Sequence, residues 1–139
     1  MRKQGSYCEY KAERETALVE CFRKKLGEVM VVDLNQIFRE VSLSAAPRFY
    51  VSESHAERVI GYYRRHGIWK VKGKKRIEMF EEIARRVEAA METDEELTFR
   101  DAIEKVVNSP APEFYFTPQT CRTLIYEAMR KLRIGALRK

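Results

Sequence analysis

The stretch APRFYVS, residues 46–52, returns as APEFYFT at residues 111–117, and this repetition decides how the fold is interpreted. Other positions match at the same offset of 65 residues: Val41 with Val106, Ser44 with Ser109, Ile60 with Ile125 and Arg65 with Arg130. The matches fall where hydrophobic periodicity predicts a core, so a duplicated unit explains them better than coincidence. We therefore predict an all-α protein made of two tandem repeats of a three-helix unit, packed into one pseudo-symmetric helical domain.

Each copy of the phrase has the features of a rigid connection between two helices. A proline, Pro47 or Pro112, prevents the preceding helix from continuing. Ser52 and Thr117 are residue types that cap the start of the next helix, and Pro118 suits a first helical turn. The aromatic residues between these signals should hold the connector against the core: Phe49, Tyr50, Phe114 and Tyr115.

Apolar residues recur at the i, i+3, i+4 spacing of half-buried helices in both units. In the first unit we predict helices at about residues 9–26, after the cap Asp33 and after Ser52. Their counterparts are predicted at about residues 75–91, after Thr98 and after Thr117. The predicted boundaries are 1–66 for the first unit, 67–74 for a basic Gly/Lys/Trp linker and 75–139 for the second unit.

The linker region reads HGIWKVKGKKR, residues 66–76. Trp69 and Val71 alternate with Lys70 and Lys72, a period-two pattern that fits a short extended ribbon with a basic face. A plain linker fits the same residues equally well. In either case Trp69 is predicted to make at least one anchoring contact.

Composition limits the classes of protein that fit this chain. Its 139 residues carry a formal net charge of +6, which suits a polyanionic partner but is weak support taken alone. Three cysteines at Cys8, Cys21 and Cys121, with no short spacing, argue against a disulfide framework and for a reducing compartment. Cys21 and Cys121 are expected to be small buried residues, and a zinc site is not expected. Without an apolar run of signal-peptide or membrane-span length, we expect a cytoplasmic protein with no membrane partner.

The candidate binding surface combines basic and aromatic residues around the third helix of the first unit. Three helices with an exposed, basic third helix are similar to the helix-turn-helix class in architecture, although the connector is longer than in the standard motif. A winged variant, with IWKVKGKK as the wing, is a further interpretation. Nucleic acid is the expected partner, with DNA as the leading expectation and RNA still open. The predicted nucleic-acid-binding residues are His55, Arg58, Tyr62, Arg64, Arg65, Lys70, Lys72, Lys74, Lys75, Arg76, Arg130 and Lys131.

The sequence contains no recognisable catalytic motif: no P-loop, nucleotide-binding glycine fingerprint or nucleophile elbow. We therefore predict a non-enzymatic protein with no catalytic, cofactor-binding or metal-binding residues. The alternative is a helical adaptor, or a module that forms homodimers, with no nucleic-acid role. Acidic residues between Glu78 and Glu96 motivate this alternative, because they could pair with the basic patches of another copy.

Overall fold

The computed structural model describes the backbone of residues 4–137 and the side chains of residues 10–133. These residues form six α-helices and no β-strand, which confirms the predicted all-α class. The helices are α1 (Gln4–Gly27), α2 (Leu34–Ser42), α3 (Glu53–His66), α4 (Lys74–Thr93), α5 (Phe99–Val107) and α6 (Pro118–Leu137).

Four helices begin at the caps that the sequence predicted. In each case a side-chain oxygen accepts a hydrogen bond from the backbone N–H three residues further on. The donor–acceptor distances are 3.3 Å at Asp33, 3.1 Å at Ser52, 3.1 Å at Thr98 and 3.2 Å at Thr117. These bonds satisfy backbone donors that have no partner within the helix, so the helix starts are fixed locally. Pro118 is the first residue of α6, as predicted.

The chain divides into two compact units, one of which is discontinuous in sequence. Unit 1 combines the chain up to Ala46 with the chain from Pro112 onward, and it contains α1, α2 and α6. Unit 2 is Pro47–Ala111 and contains α3, α4 and α5. Each unit combines helices from both predicted ranges, 1–66 and 75–139, because α6 lies with α1 and α2 whereas α3 lies with α4 and α5. The two crossing points, after Ala46 and after Ala111, are equivalent positions in the repeated phrase.

The core of unit 1 is built from α1, α2 and α6. Leu18 of α1, Val41 of α2 and Ile125 of α6 are fully buried. The rings of Phe22 and Phe38 stack with centroids 5.2 Å apart, which joins α1 to α2. Helix α6 also buries Cys121 and Ala128. Burial of Cys121 was predicted, whereas Cys21 is only half-buried; both are free thiols, and the side chain of Cys8 lies outside the described residues.

The core of unit 2 is built from α3, α4 and α5. Its largest fully buried helical side chains are Phe80 and Ile83 of α4, Ile60 of α3 and Ile103 of α5. The connector residue Phe49 is also buried, and its backbone N–H donates to the Val107 carbonyl at 3.1 Å. This confirms the predicted anchoring role of Phe49.

The remaining aromatic residues of the two connectors are also buried or half-buried. Phe114 and Tyr115 are buried and Tyr50 is half-buried. Tyr115 has a φ of 62°, a left-handed conformation that is rare for a bulky residue and that packing must enforce. The sequence does not predict this angle.

The stretch between α3 and α4 has no regular secondary structure, so the predicted ribbon and the basic wing are absent and the plain linker is the form observed. Gly67 ends α3 in the left-handed conformation, with a φ of 71°, and its N–H donates to the Tyr63 carbonyl. Trp69 stacks on Tyr63 with ring centroids 4.1 Å apart and an interplanar angle of 6°, which is the anchoring contact that was predicted.

Candidate nucleic-acid interface

Helix α3 carries its acidic and basic side chains on different flanks. On one flank, Glu57 forms an ion pair with Arg100 of α5 at 3.5 Å, and Glu53 accepts a hydrogen bond from Asn108. The acids of α3 are therefore directed towards α5 and are partnered there. The other flank bears His55, Arg58, Tyr62 and Arg65, at the spacing of one helical face. We call this face, together with Lys70 and Arg76, the basic flank.

His55 is the centre of a cluster of guanidinium groups at one end of the basic flank. Arg58 Nη2 lies 3.1 Å from Nδ1 of the His55 ring, and Arg76 Nη2 lies 3.0 Å from Nε2. The His55 ring also packs edge-on against the buried Phe80, at 5.7 Å between centroids. Arg76 and His55 are 21 residues apart in the sequence, and the packing of α4 against α3 brings their side chains together.

The cluster has more hydrogen-bond donors than the imidazole can accept. A neutral imidazole has one acceptor nitrogen, and a protonated imidazole has none. At most one of the two guanidinium groups can therefore donate to His55 at a time. The other guanidinium keeps N–H groups that can donate hydrogen bonds to phosphate oxygens. The planar fork of a guanidinium matches the spacing of two phosphate oxygens.

The other end of the basic flank is aromatic. Tyr62 and His66 lie one turn apart with ring centroids at 4.3 Å, and the Lys70 ammonium lies 4.8 Å from the centroid of the Tyr62 ring. Lys70 reaches this position because its neighbour Trp69 is fixed on Tyr63. The linker thus contributes one cation to the face of α3 and holds it against an aromatic ring.

Two of the predicted residues are engaged elsewhere. Arg64 forms an ion pair with Glu88 at 3.3 Å, and its guanidinium lies 4.7 Å from the ring centroid of Phe99. Lys75 forms an ion pair with Glu78 at 3.6 Å. These contacts compete with any phosphate for the two side chains.

The other six predicted cations of unit 2 have no carboxylate partner among the described side chains. They are Arg58, Arg65, Lys70, Lys72, Lys74 and Arg76. All six are exposed. Uncompensated, exposed cations on one unit form a surface of positive potential that attracts polyanions.

Arg130 and Lys131 belong to unit 1, whereas the other predicted site residues belong to unit 2. Lys131 pairs with Glu15 of α1 at 3.3 Å, and the hydrogen bond from Lys131 to this carboxylate raises the pKa of the lysine above its usual value. Arg130 lies instead in an open groove of α6 together with Arg23 and Tyr126.

Sequence reasoning missed two surfaces of unit 1. The first is this groove, of which only Arg130 was predicted. Its lining residues on α6 lie three or four positions apart, and this spacing was the available signal that they share one face. The second is the apolar run from Val29 to Val32, in which Met30 is fully exposed and Val31 is 84% exposed. An uninterrupted apolar run without a helical pattern was the available signal for the second surface.

The acidic residues of α4 act as structural partners. Glu82 lies between Arg85 and Arg86 and accepts hydrogen bonds from both. The bonds from Arg85, followed in importance by those from Arg86, hold the pKa of Glu82 below its ordinary value of 4.5. Among the side chains of residues 10–133, no three His, Cys, Asp or Glu groups come close enough together to hold a metal ion.

No family model, curated protein or solved structure matches this chain. Within residues 4–137, no helix has both the length and the apolar character required to cross a membrane.

Proposed function

We propose that this protein is a non-enzymatic nucleic-acid-binding protein and that the basic flank of unit 2 contacts the phosphates of duplex DNA. The observation that carries the proposal is the segregation of charge on α3. The acids Glu53 and Glu57 are partnered on the side of α5, whereas Arg58 and Arg65 are exposed without a carboxylate partner. A cytoplasmic location, expected from the sequence, stays a prediction.

The dimensions of the basic flank suit a phosphate backbone. From His55 to His66 the helix rises about 16 Å, at roughly 1.5 Å per residue. Successive phosphates of one DNA strand rise about 3.4 Å along the helix axis while the strand winds around it, so a straight flank of this length reaches fewer than about five of them. Contacts of this kind give affinity and position without reading the base sequence. The proposal is therefore binding with little sequence preference.

We also propose that the two units arose from a duplicated three-helix segment whose third helices are exchanged. Helices α2 and α5 have the same length, and their starts lie 65 residues apart, as do those of α3 and α6. Each unit then contains a first and a second helix from one segment and a third helix from the other. Burial supports the correspondence, since equivalent positions are buried in both: Leu18 with Ile83, Val41 with Val106, Ala46 with Ala111, Ala56 with Cys121 and Ile60 with Ile125.

The nucleic-acid proposal is tested by fluorescence anisotropy with a labelled random duplex of about 30 base pairs, titrated at several salt concentrations. The double variant R58Q/R76Q removes two guanidinium groups next to His55. Its matched control, K24Q/K105Q, removes two exposed cations that lie outside the basic flank. We expect R58Q/R76Q to weaken binding and K24Q/K105Q to retain most of it. Equal losses in both variants would show that only net charge matters, and an absence of duplex binding at low salt would refute the proposal.

A second candidate function, self-association, is favoured by the exposed apolar run of unit 1. Val29, Met30, Val31 and Val32 are all exposed, and Leu34 at the start of α2 is 41% exposed. A second copy of the chain could cover this run by hydrophobic contact. The acidic residues that first motivated this alternative now support it less, because Glu78, Glu82 and Glu88 have cationic partners within unit 2.

Light scattering tests the second candidate. An apolar interface should persist at high salt and should be lost in M30D/V31D, because charged residues at its centre would remain desolvated. A dimer that dissociates in high salt would instead indicate charge pairing between copies. A monomer at all concentrations would refute self-association.

A further inference from the structure

Unit 1 has an open groove of about 600 Å³ between α1 and α6. Three arginines line it, together with one aromatic and two other apolar side chains: Arg23, Arg130, Arg133, Tyr126, Met129 and Leu132. This volume lies within the range of roughly 300–1,000 Å³ that is typical of small-ligand sites. The groove lies entirely within unit 1, so it is independent of the basic flank.

The arginines of the groove are not compensated by acids. Arg23, Arg130 and Arg133 form no ion pair with the described carboxylates. The nearest acid along α1, Glu20, is exposed and makes no ion pair with Arg23. On α6, Glu127 is one turn from both Arg130 and Lys131, and it forms no ion pair with Arg130. The groove therefore presents three guanidinium groups to an anionic ligand.

Tyr126 is an exposed ring on a fixed support. Its ring meets Phe38 edge-on at 5.6 Å between centroids, and Phe38 in turn stacks on Phe22 at 5.2 Å. Both phenylalanines are buried, whereas Tyr126 is 40% exposed. The core thus restricts the tyrosine before any ligand arrives, which lowers the conformational entropy lost on binding.

The surface continues beyond the groove towards the start of α6. A smaller depression of about 180 Å³ is lined by Phe38, Arg39 and Arg122, among others. The Arg122 guanidinium lies 5.7 Å from the centroid of the Tyr126 ring, which connects the two depressions. From Gln119 to Arg133 the helix rises about 21 Å, at roughly 1.5 Å per residue. This length accommodates several nucleotides of a strand.

We propose that this face of unit 1 binds single-stranded nucleic acid, with an unpaired base stacked on Tyr126 and the neighbouring phosphates bound by the arginines. Guanidinium groups select phosphate, and an exposed aromatic ring beside apolar side chains selects the face of a planar base. A duplex keeps its base faces within the stack, so a duplex cannot use Tyr126 in this way. The face is therefore specific for unpaired nucleotides.

Anisotropy with a labelled oligothymidine of about 12 nucleotides tests this proposal. We expect Y126L to bind the single strand about tenfold more weakly, because one stacked base is lost. R23Q/R133Q should also weaken binding and should reduce the salt slope by about 1.4, at roughly 0.7 per phosphate contact. The control K24Q changes an exposed cation next to Arg23 in sequence and should bind normally. Duplex binding should be unchanged in Y126L.

A second readout makes the test independent of any loss of folding in Y126L. In the variant W69F/Y126W the only tryptophan lies at the proposed stacking position, and oligothymidine should quench its fluorescence. Normal affinity in a folded Y126L chain, or no quenching in W69F/Y126W, would overturn the proposal. If R58Q/R76Q alone abolishes single-strand binding, the basic flank binds the strand and this inference fails while the proposed function stands. If the chain binds the single strand but not the duplex, the proposed duplex-binding function fails while this inference stands.

Discussion

Neutralising the basic flank should reduce the salt dependence of duplex binding by a calculable amount. Each phosphate neutralised by a protein cation contributes about 0.9 to the slope of log K against log salt concentration. Six exposed cations of unit 2 have no carboxylate partner among the described side chains, so the full chain should show a slope of about −5. The triple variant R58Q/R65Q/R76Q removes three of these contacts and should bring the slope to about −2.7.

The structure also distinguishes cations that already have a carboxylate partner from cations that do not, which a count of charges cannot do. Arg64 and Lys75 are in the same basic stretch of sequence, but Glu88 and Glu78 already partner them. The variant R64Q/K75Q should therefore change the slope by less than about 1, although it removes two positive charges. The assay is anisotropy of the labelled duplex between about 50 and about 300 mM salt. An equal loss of slope per charge in the two variants would refute the assignment of partnered and unpartnered cations.

Three further predictions concern stability, and urea denaturation monitored by circular dichroism measures each of them. Ser52→Ala and Thr117→Ala should each cost about 1 kcal/mol, because each removes one N-cap hydrogen bond; a loss in only one variant would argue against equivalent caps. Phe80→Ala should cost about 3–5 kcal/mol, because the ring is fully buried; a cost below about 1 kcal/mol would contradict this packing. Glu82 has a folded-state pKa below 4.5, so its contribution to stability is present above that pH and is lost as the pH falls through the folded pKa. Glu82→Gln should therefore flatten the acid loss of stability between about pH 6 and about pH 3, and an unchanged profile would show that the bonds from Arg85 contribute nothing measurable.

The local signals of the sequence were sufficient to locate the helices. Ser52 and Thr117 cap α3 and α6 as predicted, and Phe49 anchors its connector. Such features depend on neighbours within a few residues, so the chain itself encodes them. The φ of 62° at Tyr115 is different in kind, because tertiary packing imposes it.

The grouping of the helices, with α6 in unit 1 and α3 in unit 2, could not be predicted from the same signals. The apolar residues Ala56 and Ile60 of α3 show which face of this helix is buried. Hydrophobic periodicity does not say which other helices cover that face. Tertiary contacts determine which helices pack together, and the local pattern does not contain them.

For the binding surface, the sequence predicted the composition but not the partners. Arg64 and Arg65 are adjacent, yet Arg64 is paired with Glu88 and Arg65 is not. Successive residues on a helix point about 100° apart, so one of them can face α4 while the other faces solvent. Lys70 is a similar case, because its position over Tyr62 depends on the stacking of Trp69.

The two third helices differ in the faces that carry exposed cations, and this difference supports separate roles for the two units. The α6 residues equivalent to His55, Arg58 and Tyr62 are Thr120, Thr123 and Glu127, which do not form a basic face. Of the basic flank only Arg65 has a cationic equivalent on α6, Arg130, and the other arginines of the groove, Arg23 and Arg133, have no counterpart in that flank. The position equivalent to Tyr126 is Gly61, which has no side chain to offer a base. If the segment was duplicated, as we propose, the buried positions kept their apolar character while the exposed positions diverged. A surface for duplex phosphates on α3 and one for unpaired bases on α6 are then two uses of one helical scaffold, and Y126L and R58Q/R76Q should affect them separately.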